Sequence, residues 1–226
     1  MGKYRIEMKL LTETIFGSGY SIPGTVDLEI VYDEYGLPYM KGKTFKGNFR
    51  KEMSEVVKLL GEEKYKHLLV SLLGKENGGV DSWKNLKFSD CRIAENIRGV
   101  LAYGVKERLF DCDEVKDVLT DVRSFTSLDD DGSYKKGSLR QFRVIKKGLI
   151  FVVDIYSGRE LSEEELGIIA ITAKMLRHIG TMRTRGKGEV ECNFKVFQDG
   201  EYKDMTQIYV DSFLKGVKDD GKVPNI

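Results

Sequence analysis

The order of hydrophobic patterns along this chain limits its fold more than any single residue does. Residues 4–10 alternate apolar and polar, the period of a half-buried strand. After a long glycine-rich stretch, Phe45, Phe49, Met53, Val56, Val57 and Leu60 recur three and four apart, which predicts an amphipathic helix that Gly61 can end. Residues 62–73 read as a further helix, broken by Asn77-Gly78-Gly79, and residues 87–93 as a second strand. A mixed, acidic stretch over 104–121 holds a short helix around 114–119. Residues 123–145 pattern as a β-hairpin that turns at Asp129-Asp130-Asp131-Gly132 and returns through a basic strand. The β-branched run 149–155 is a central strand. Ser162-Glu163-Glu164-Glu165 is a capping box ahead of Leu166, Ile169, Ala170, Ala173 and Leu176 on one helical face, and residues 189–196 alternate as a last strand. Strand, helix, strand, hairpin, strand, helix, strand is the order of an α+β, ferredoxin-like (RRM-like) sandwich with a hairpin insertion.

One domain over 1–214 with a polar tail over 215–226 is expected, since no linker, repeat or low-complexity segment interrupts the pattern. The longest apolar runs, 149–153 and 168–171, fall far short of the roughly 18 residues of a membrane span. The start, Met1-Gly2-Lys3-Tyr4-Arg5-Ile6-Glu7, lacks the apolar centre of a signal peptide, so a cytoplasmic location is expected. Cys91, Cys112 and Cys192 form no Cys-x-x-Cys pair and the chain has only 2 histidines, so neither a disulfide framework nor a zinc site is signalled.

A net charge of +1 hides a strong segregation. Residues 41–51 (Lys41, Lys43, Lys46, Arg50, Lys51), 132–147 (including Lys135, Lys136, Arg140 and Arg143) and 177–188 (Arg177, Arg183, Arg185, Lys187) contain bases and no acids. Basic segments that meet in space can hold a polyanion even on a neutral protein. Lys43, Lys46 and Arg50 share one face at a helix start, where the dipole disfavours cations. A bound anion would resolve that conflict. Residues 180–188 invite comparison with a phosphate-binding P-loop, but five residues separate Gly180 from Gly186-Lys187, Gly188 follows, and the loop comes after a helix. An ATPase reading fails there. What remains is a flexible backbone with Arg183, Arg185 and Lys187 available to phosphates.

The segment Gly36-Leu37-Pro38-Tyr39-Met40-Lys41-Gly42-Lys43-Thr44-Phe45-Lys46-Gly47-Asn48-Phe49-Arg50 resembles the Gly-x-Pro-Tyr-x-x-Gly-x-x-x-Lys-Gly-x-x-Arg signature of the RAMP superfamily of CRISPR effector proteins. Gly180, Gly186 and Gly188 stand in a stretch similar to that family's second signature. The spread Pro23-Gly24-Thr25-Val26-Asp27 and Tyr32-Asp33-Glu34-Tyr35-Gly36-Leu37-Pro38 resembles type III proteins, subtype D in particular. The resemblance implies a backbone subunit lined up with copies or paralogues, and with other effector subunits, along a guide RNA (crRNA). It implies guide contacts from Lys43, Lys46, Arg50, Arg123, Arg140, Gly180, Arg183, Arg185, Gly186, Lys187 and Gly188, and a thumb formed by the 123–145 hairpin. It further implies cleavage of the paired target RNA by a loop aspartate, here Asp27, holding Mg2+ or another divalent ion. Some relatives carry a histidine ahead of the first glycine loop, where this chain has Ile15-Phe16-Gly17.

Asp27 read from the residues alone is either such a carboxylate or a loop cap bonding its own backbone. Asp33 is expected to make a turn. Tyr20, Tyr32, Tyr35 and Tyr39 either stack on bases or pack the loop down. The competing functions are a non-catalytic structural subunit, and a guide-processing ribonuclease, which would want histidine acid–base chemistry that this chain scarcely offers.

Overall fold

Alternation over residues 4–10 buries Tyr4, Ile6, Met8 and Leu10 on one face of a strand and turns Arg5, Glu7 and Lys9 to the other. The computed structural model describes residues 2–75, 85–126, 131–133 and 135–219. In chain order the elements are β1 (Tyr4–Leu10), β2 (Tyr39–Met40), α1 (Gly42–Leu73), β3 (Lys87–Phe88), β4 (Cys91–Ile93), α2 (Glu95–Lys106), α3 (Cys112–Leu119), β5 (Thr120–Phe125), β6 (Arg140–Ile145), β7 (Ile150–Tyr156), α4 (Glu163–Met175), β8 (Val190–Gln198), β9 (Glu201–Asp204) and α5 (Thr206–Asp219). The main sheet runs β2-β4-β7-β1-β8-β9, antiparallel throughout, with β3 also on β7. Its inner strands β4-β7-β1-β8 are the second, third, first and fourth strands of the expected sandwich, which is the ferredoxin-like order.

Register explains the core. Ile6 lies between Val153 and Phe194, and Met8 between Phe151 and Cys192, all on the covered face. Phe45, Phe49 and Met53 of α1 and Ile169 and Ala173 of α4 join the same cluster. Each of the large side chains gains about 1.5–3 kcal/mol from burial. On the opposite face Arg5 pairs with Asp154 at 2.7 Å and lies 3.9 Å over the Tyr202 ring, while Lys195 donates to Glu7 at 2.7 Å. β1 thus presents charges where an RNA-recognition motif presents stacking aromatics, and the RRM-like comparison holds for strand order only. Burial pushes the Cys91 and Cys192 thiols up, Cys192 to about 12, so both remain small apolar residues.

Several elements depart from the sequence expectation. α1 opens at Gly42, ahead of Phe45, and is broken at Gly61, whose φ of 117° leaves the helical region. Its two arms fold back, because Arg50 from the first arm reaches the carbonyls of Leu73 and Gly74 at the end of the second. The expected strand over 87–93 is split into β3 and β4 around Ser89 and Asp90. α2, β9 and α5 lacked a clear signal. α2 carries Gly99 and Gly104 and leaves Val100 and Tyr103 exposed, which blurs its period. α5 continues to Asp219, into the stretch read as a tail. Between β1 and β2 the expected ribbon over 26–32 is replaced by single bridges, Gly17 to Ile30, Ile22 to Val26 and Tyr32 to Pro38. Asp33 makes its turn: Oδ1 accepts from the Tyr35 and Leu37 N–H groups at 2.9 and 3.1 Å, and Oδ2 from Arg98 at 3.2 Å. Asn77-Gly78-Gly79 and the hairpin turn residues Asp129 and Asp130 lie outside the described residues. No described helix is long and apolar enough to cross a membrane.

Candidate nucleic-acid interface

The two glycine-containing segments, far apart in the chain, meet along one side of the molecule. Gly188 and Gly180 take φ of 78° and 83°, and a Cβ at Gly188 would stand 2.0 Å from the Ile179 carbonyl. The loop is clipped to the chain after β1 by Gly188 N–H to the Glu13 carbonyl (2.9 Å) and Thr181 N–H to the Ile15 carbonyl (3.2 Å). Between them Arg183–Arg185 form one 3-10 turn entered through Met182 at φ 62° and left through Gly186 at φ 71°. This places a cleft of about 300 Å3 between Gly17 and Ser18, the α1 start (Lys41, Thr44, Asn48) and Gly180-Thr181. An adjoining cleft of about 270 Å3 is lined by Asn48, Lys51, Glu52, Arg177, His178 and Arg183. Asn48 lines both, so the two clefts adjoin at the first arm of α1.

The cations divide into two sets. Lys41, Lys43, Arg183 and Arg185 are exposed, and among the described residues their side chains have no hydrogen-bond partner. Lys46 and Arg50 are half-buried and already engaged. Lys46 Nζ donates to the Leu86 carbonyl at 3.3 Å, and burial together with nearby Arg50 pulls its pKa down. Arg50 caps the second arm of α1 through the carbonyls of Gly74, at 3.0 Å, and Leu73. The dipole conflict is answered from within the fold as well, since the Gly42 N–H donates to Asp90 Oδ1 at 2.9 Å. On the helix face that was expected to meet phosphates, Lys46 and Arg50 thus already hold carbonyls of this chain, while Lys43 stays exposed. Asp90, on the β3–β4 connection, carries no local sequence signal as a cap for a helix so far upstream.

The hairpin is a separate two-stranded sheet, β5 on β6, in register from Thr120–Ile145 to Phe125–Arg140. Its root is core, with Val144 and Ile145 fully buried, and the Phe125 and Phe142 rings lie 5.4 Å apart further out. Arg140 donates to the carbonyls of Gly137 and Leu139 at 3.1 and 2.9 Å. Arg123 donates to Glu13 at 2.9 and 2.6 Å, and Lys187 donates to the other oxygen of the same carboxylate. Asp27 sits at the hairpin and not in either cleft. Its N–H donates to the Gln141 carbonyl at 2.8 Å and its Oδ2 accepts from the Gln141 N–H at 2.7 Å.

The RAMP superfamily pattern matches residues 7–191, most of the chain and both glycine segments. This chain belongs to the RAMP superfamily. No curated protein matches it at a significant level. Among solved structures the RAMP chain is similar to a type III-B Cmr-beta structure bound to cognate target RNA, at 15% identity and TM-score 0.59, covering 84% of this chain and 96% of that one. It is likewise similar to the type III-B Cmr-beta structure of the apo state, at 15% identity and TM-score 0.60, covering 88% and 98%. At that identity the likeness speaks to the fold.

Of the residues the sequence singled out in this RAMP domain, the structure brings Lys41, Gly180 and Arg183 to the clefts and gives Lys46, Arg50, Arg123, Arg140 and Lys187 partners inside the protein. Asp27 is exposed, and its Oδ1 accepts no hydrogen bond among the described residues. Those residues include no group of three His, Cys, Asp or Glu side chains placed to hold a metal ion. A single carboxylate with one oxygen already bonded does not fit a resident divalent ion, which wants several oxygen ligands. Sequence reasoning missed Glu13 and Asp90, and gave Lys51 and Arg177 no role beyond their basic segments.

Proposed function

We propose that this RAMP protein is a guide-RNA-binding backbone subunit of a type III CRISPR ribonucleoprotein, of the subtype D kind that its loop motifs resemble. The observation that carries the reading is the meeting of the two signature segments at a cleft lined by Lys41 and Gly180, beside a second cleft lined by Lys51, Arg177 and Arg183. A single-stranded backbone laid along these clefts meets those cations. Binding is then neutral to sequence, because phosphate contacts position a strand without reading it. The β5–β6 hairpin, rooted in the core and projecting as its own sheet, suits the thumb role. Guide and target RNA, copies or paralogues of the chain and other effector subunits are its partners, as the similar solved structure bound to target RNA encourages.

Sequencing the RNA that co-purifies with the expressed complex tests this reading directly. Guide-length RNA of uniform 5′ end is expected, and binding of unrelated oligonucleotides within a few-fold of one another. Absence of bound RNA, or strong preference for one sequence, overturns it. Target cleavage at Asp27 is a second reading, favoured by the exposure of that carboxylate. Asp27→Asn keeps an oxygen for the Gln141 N–H, so complexes of this variant form normally. If target RNA is cut in magnesium by the wild-type complex and left whole by Asp27→Asn, the residue cleaves. Equal cutting by both assigns the scaffold role to this chain.

A further inference from the structure

Glu13 stands just past β1 with 17% of its side chain exposed, and each carboxylate oxygen holds a cation from a different part of the fold. Oε1 accepts from Arg123 Nε and Nη2 on β5, at 2.9 and 2.6 Å. Oε2 accepts from Lys187 Nζ in the glycine loop at 2.5 Å. The Glu13 carbonyl meanwhile takes the Gly188 N–H. Asp121 adds a second carboxylate to Arg123 at 3.2 Å, and Lys187 Nζ lies 5.9 Å from the centre of the Phe125 ring. Hydrogen bonds from Arg123 first, then Lys187, hold the Glu13 carboxyl below the usual carboxylate range, so it is ionised at neutral pH.

We propose that Glu13 is an internal stand-in for a phosphate, locking the β5–β6 hairpin to the glycine loop before RNA arrives and keeping Arg123 and Lys187 out of the RNA contacts. The inference rests on the RNA-binding reading above. An arginine fork takes a carboxylate and a phosphate in the same geometry. A carboxylate tethered in place competes at high effective concentration, so a phosphate from RNA has to displace it. Arg183 and Arg185, in the same loop, donate to no carboxylate among the described residues, although Glu52 lies across the cleft from Arg183. The hairpin direction is then a property of the protein, and two cations that look like RNA ligands in the sequence act as positioning residues.

The test uses the full chain as wild type, Glu13→Gln, Arg123→Ala and Lys187→Ala, with two readouts. One is amide hydrogen exchange of the RNA-free protein over 120–125, 140–145 and 186–188. The other is binding of a uridine oligonucleotide across a salt series. Glu13→Gln is expected to speed exchange in all three segments about tenfold and to steepen the log–log salt slope by about 0.7 for each cation released. Arg123→Ala and Lys187→Ala are expected to leave the slope at the wild-type value. Unchanged exchange in Glu13→Gln overturns the lock. A shallower slope in Arg123→Ala makes that residue a phosphate ligand and overturns the stand-in. Failure of the wild type to bind RNA removes the RNA reading and the stand-in together, while the exchange result still decides the lock.

Discussion

The first basic segment, around α1, and the second, the glycine loop, look alike in the sequence and are used differently. In the first, Lys46 is drawn to the Leu86 carbonyl ahead of β3, and Arg50 to the Leu73 and Gly74 carbonyls, which holds the two arms of α1 together. In the second, Arg183 and Arg185 project outward, and it is the glycines that are structural. A signature therefore mixes two kinds of residue: those that build the clefts and those that can use them. Burial and existing partners separate the two kinds where residue type does not.

The largest effect that would test this division is at Gly188. Alanine there keeps a φ of 78° and puts Cβ 2.0 Å from the Ile179 carbonyl. A loss of about 3 kcal/mol or more is expected from strain and displacement together, read as a lowered urea midpoint or loss of soluble protein. Gly186, at φ 71° with nothing within 4 Å of a built Cβ, suffers the backbone term alone, about 1 kcal/mol in Gly186→Ala. Equal losses at the two positions would dissolve the distinction within the loop.

Next comes Arg50→Ala, which orphans the carbonyls at the end of α1. Unfolding free energy is expected to fall by about 2 kcal/mol, the scale of hydrogen bonds from a charged donor, with the salt slope of RNA binding unaltered. A flatter slope at unaltered stability would return Arg50 to the RNA. The reverse pattern is expected of the double variant Arg183→Ala with Arg185→Ala: the same midpoint as wild type, and a salt slope shallower by about 1.4 for two lost phosphate contacts on a single strand.

The smallest effect concerns another ion pair, exposed Arg159 with buried Glu165 at the start of α4. Glu165 also takes the Ser71 hydroxyl at 3.0 Å, linking the second arm of α1 to the α4 cap. The Arg159 hydrogen bond holds the Glu165 carboxyl below its ordinary value of about 4.3. Because the folded pKa is the lower one, the stabilisation is complete above the unfolded value and fades as pH falls through the folded one. Thermal melts from pH 6 down to 3 are expected to show a smaller acid-induced drop in Glu165→Gln than in wild type. Parallel curves would mean that the pair adds nothing to stability.

Much of this architecture was legible because it rests on local periods. The alternation of β1, the three- and four-residue spacing of α1, the Gly61 break and the Ser162–Glu165 box all reappear as drawn, the box with both reciprocal hydrogen bonds. What the sequence concealed was non-local. Asp90 caps a helix that starts 48 positions earlier, and Glu13 joins Lys187 across 174. No window of neighbours reports such pairings. α2 was hidden for a different reason: the close seat of Phe110 on Gly104 asks for a glycine inside a helix, which lowers the very propensity by which a helix is recognised.

Strand β6 carries one more consequence. Along its outward side the Gln141 N–H goes to Asp27, the Gln141 carbonyl takes the Asp27 N–H, the Arg143 N–H goes to the Leu28 carbonyl, and Ile145 exchanges both its bonds with Thr14. A hairpin with an open side would invite other chains to add a strand. Here a stretch with no regular structure of its own serves as the selvedge. Replacing Asp27 or Leu28 by proline would unpick it, since both give their N–H to the Gln141 carbonyl, so the loop's irregular path is what closes this edge of β6 to strand addition.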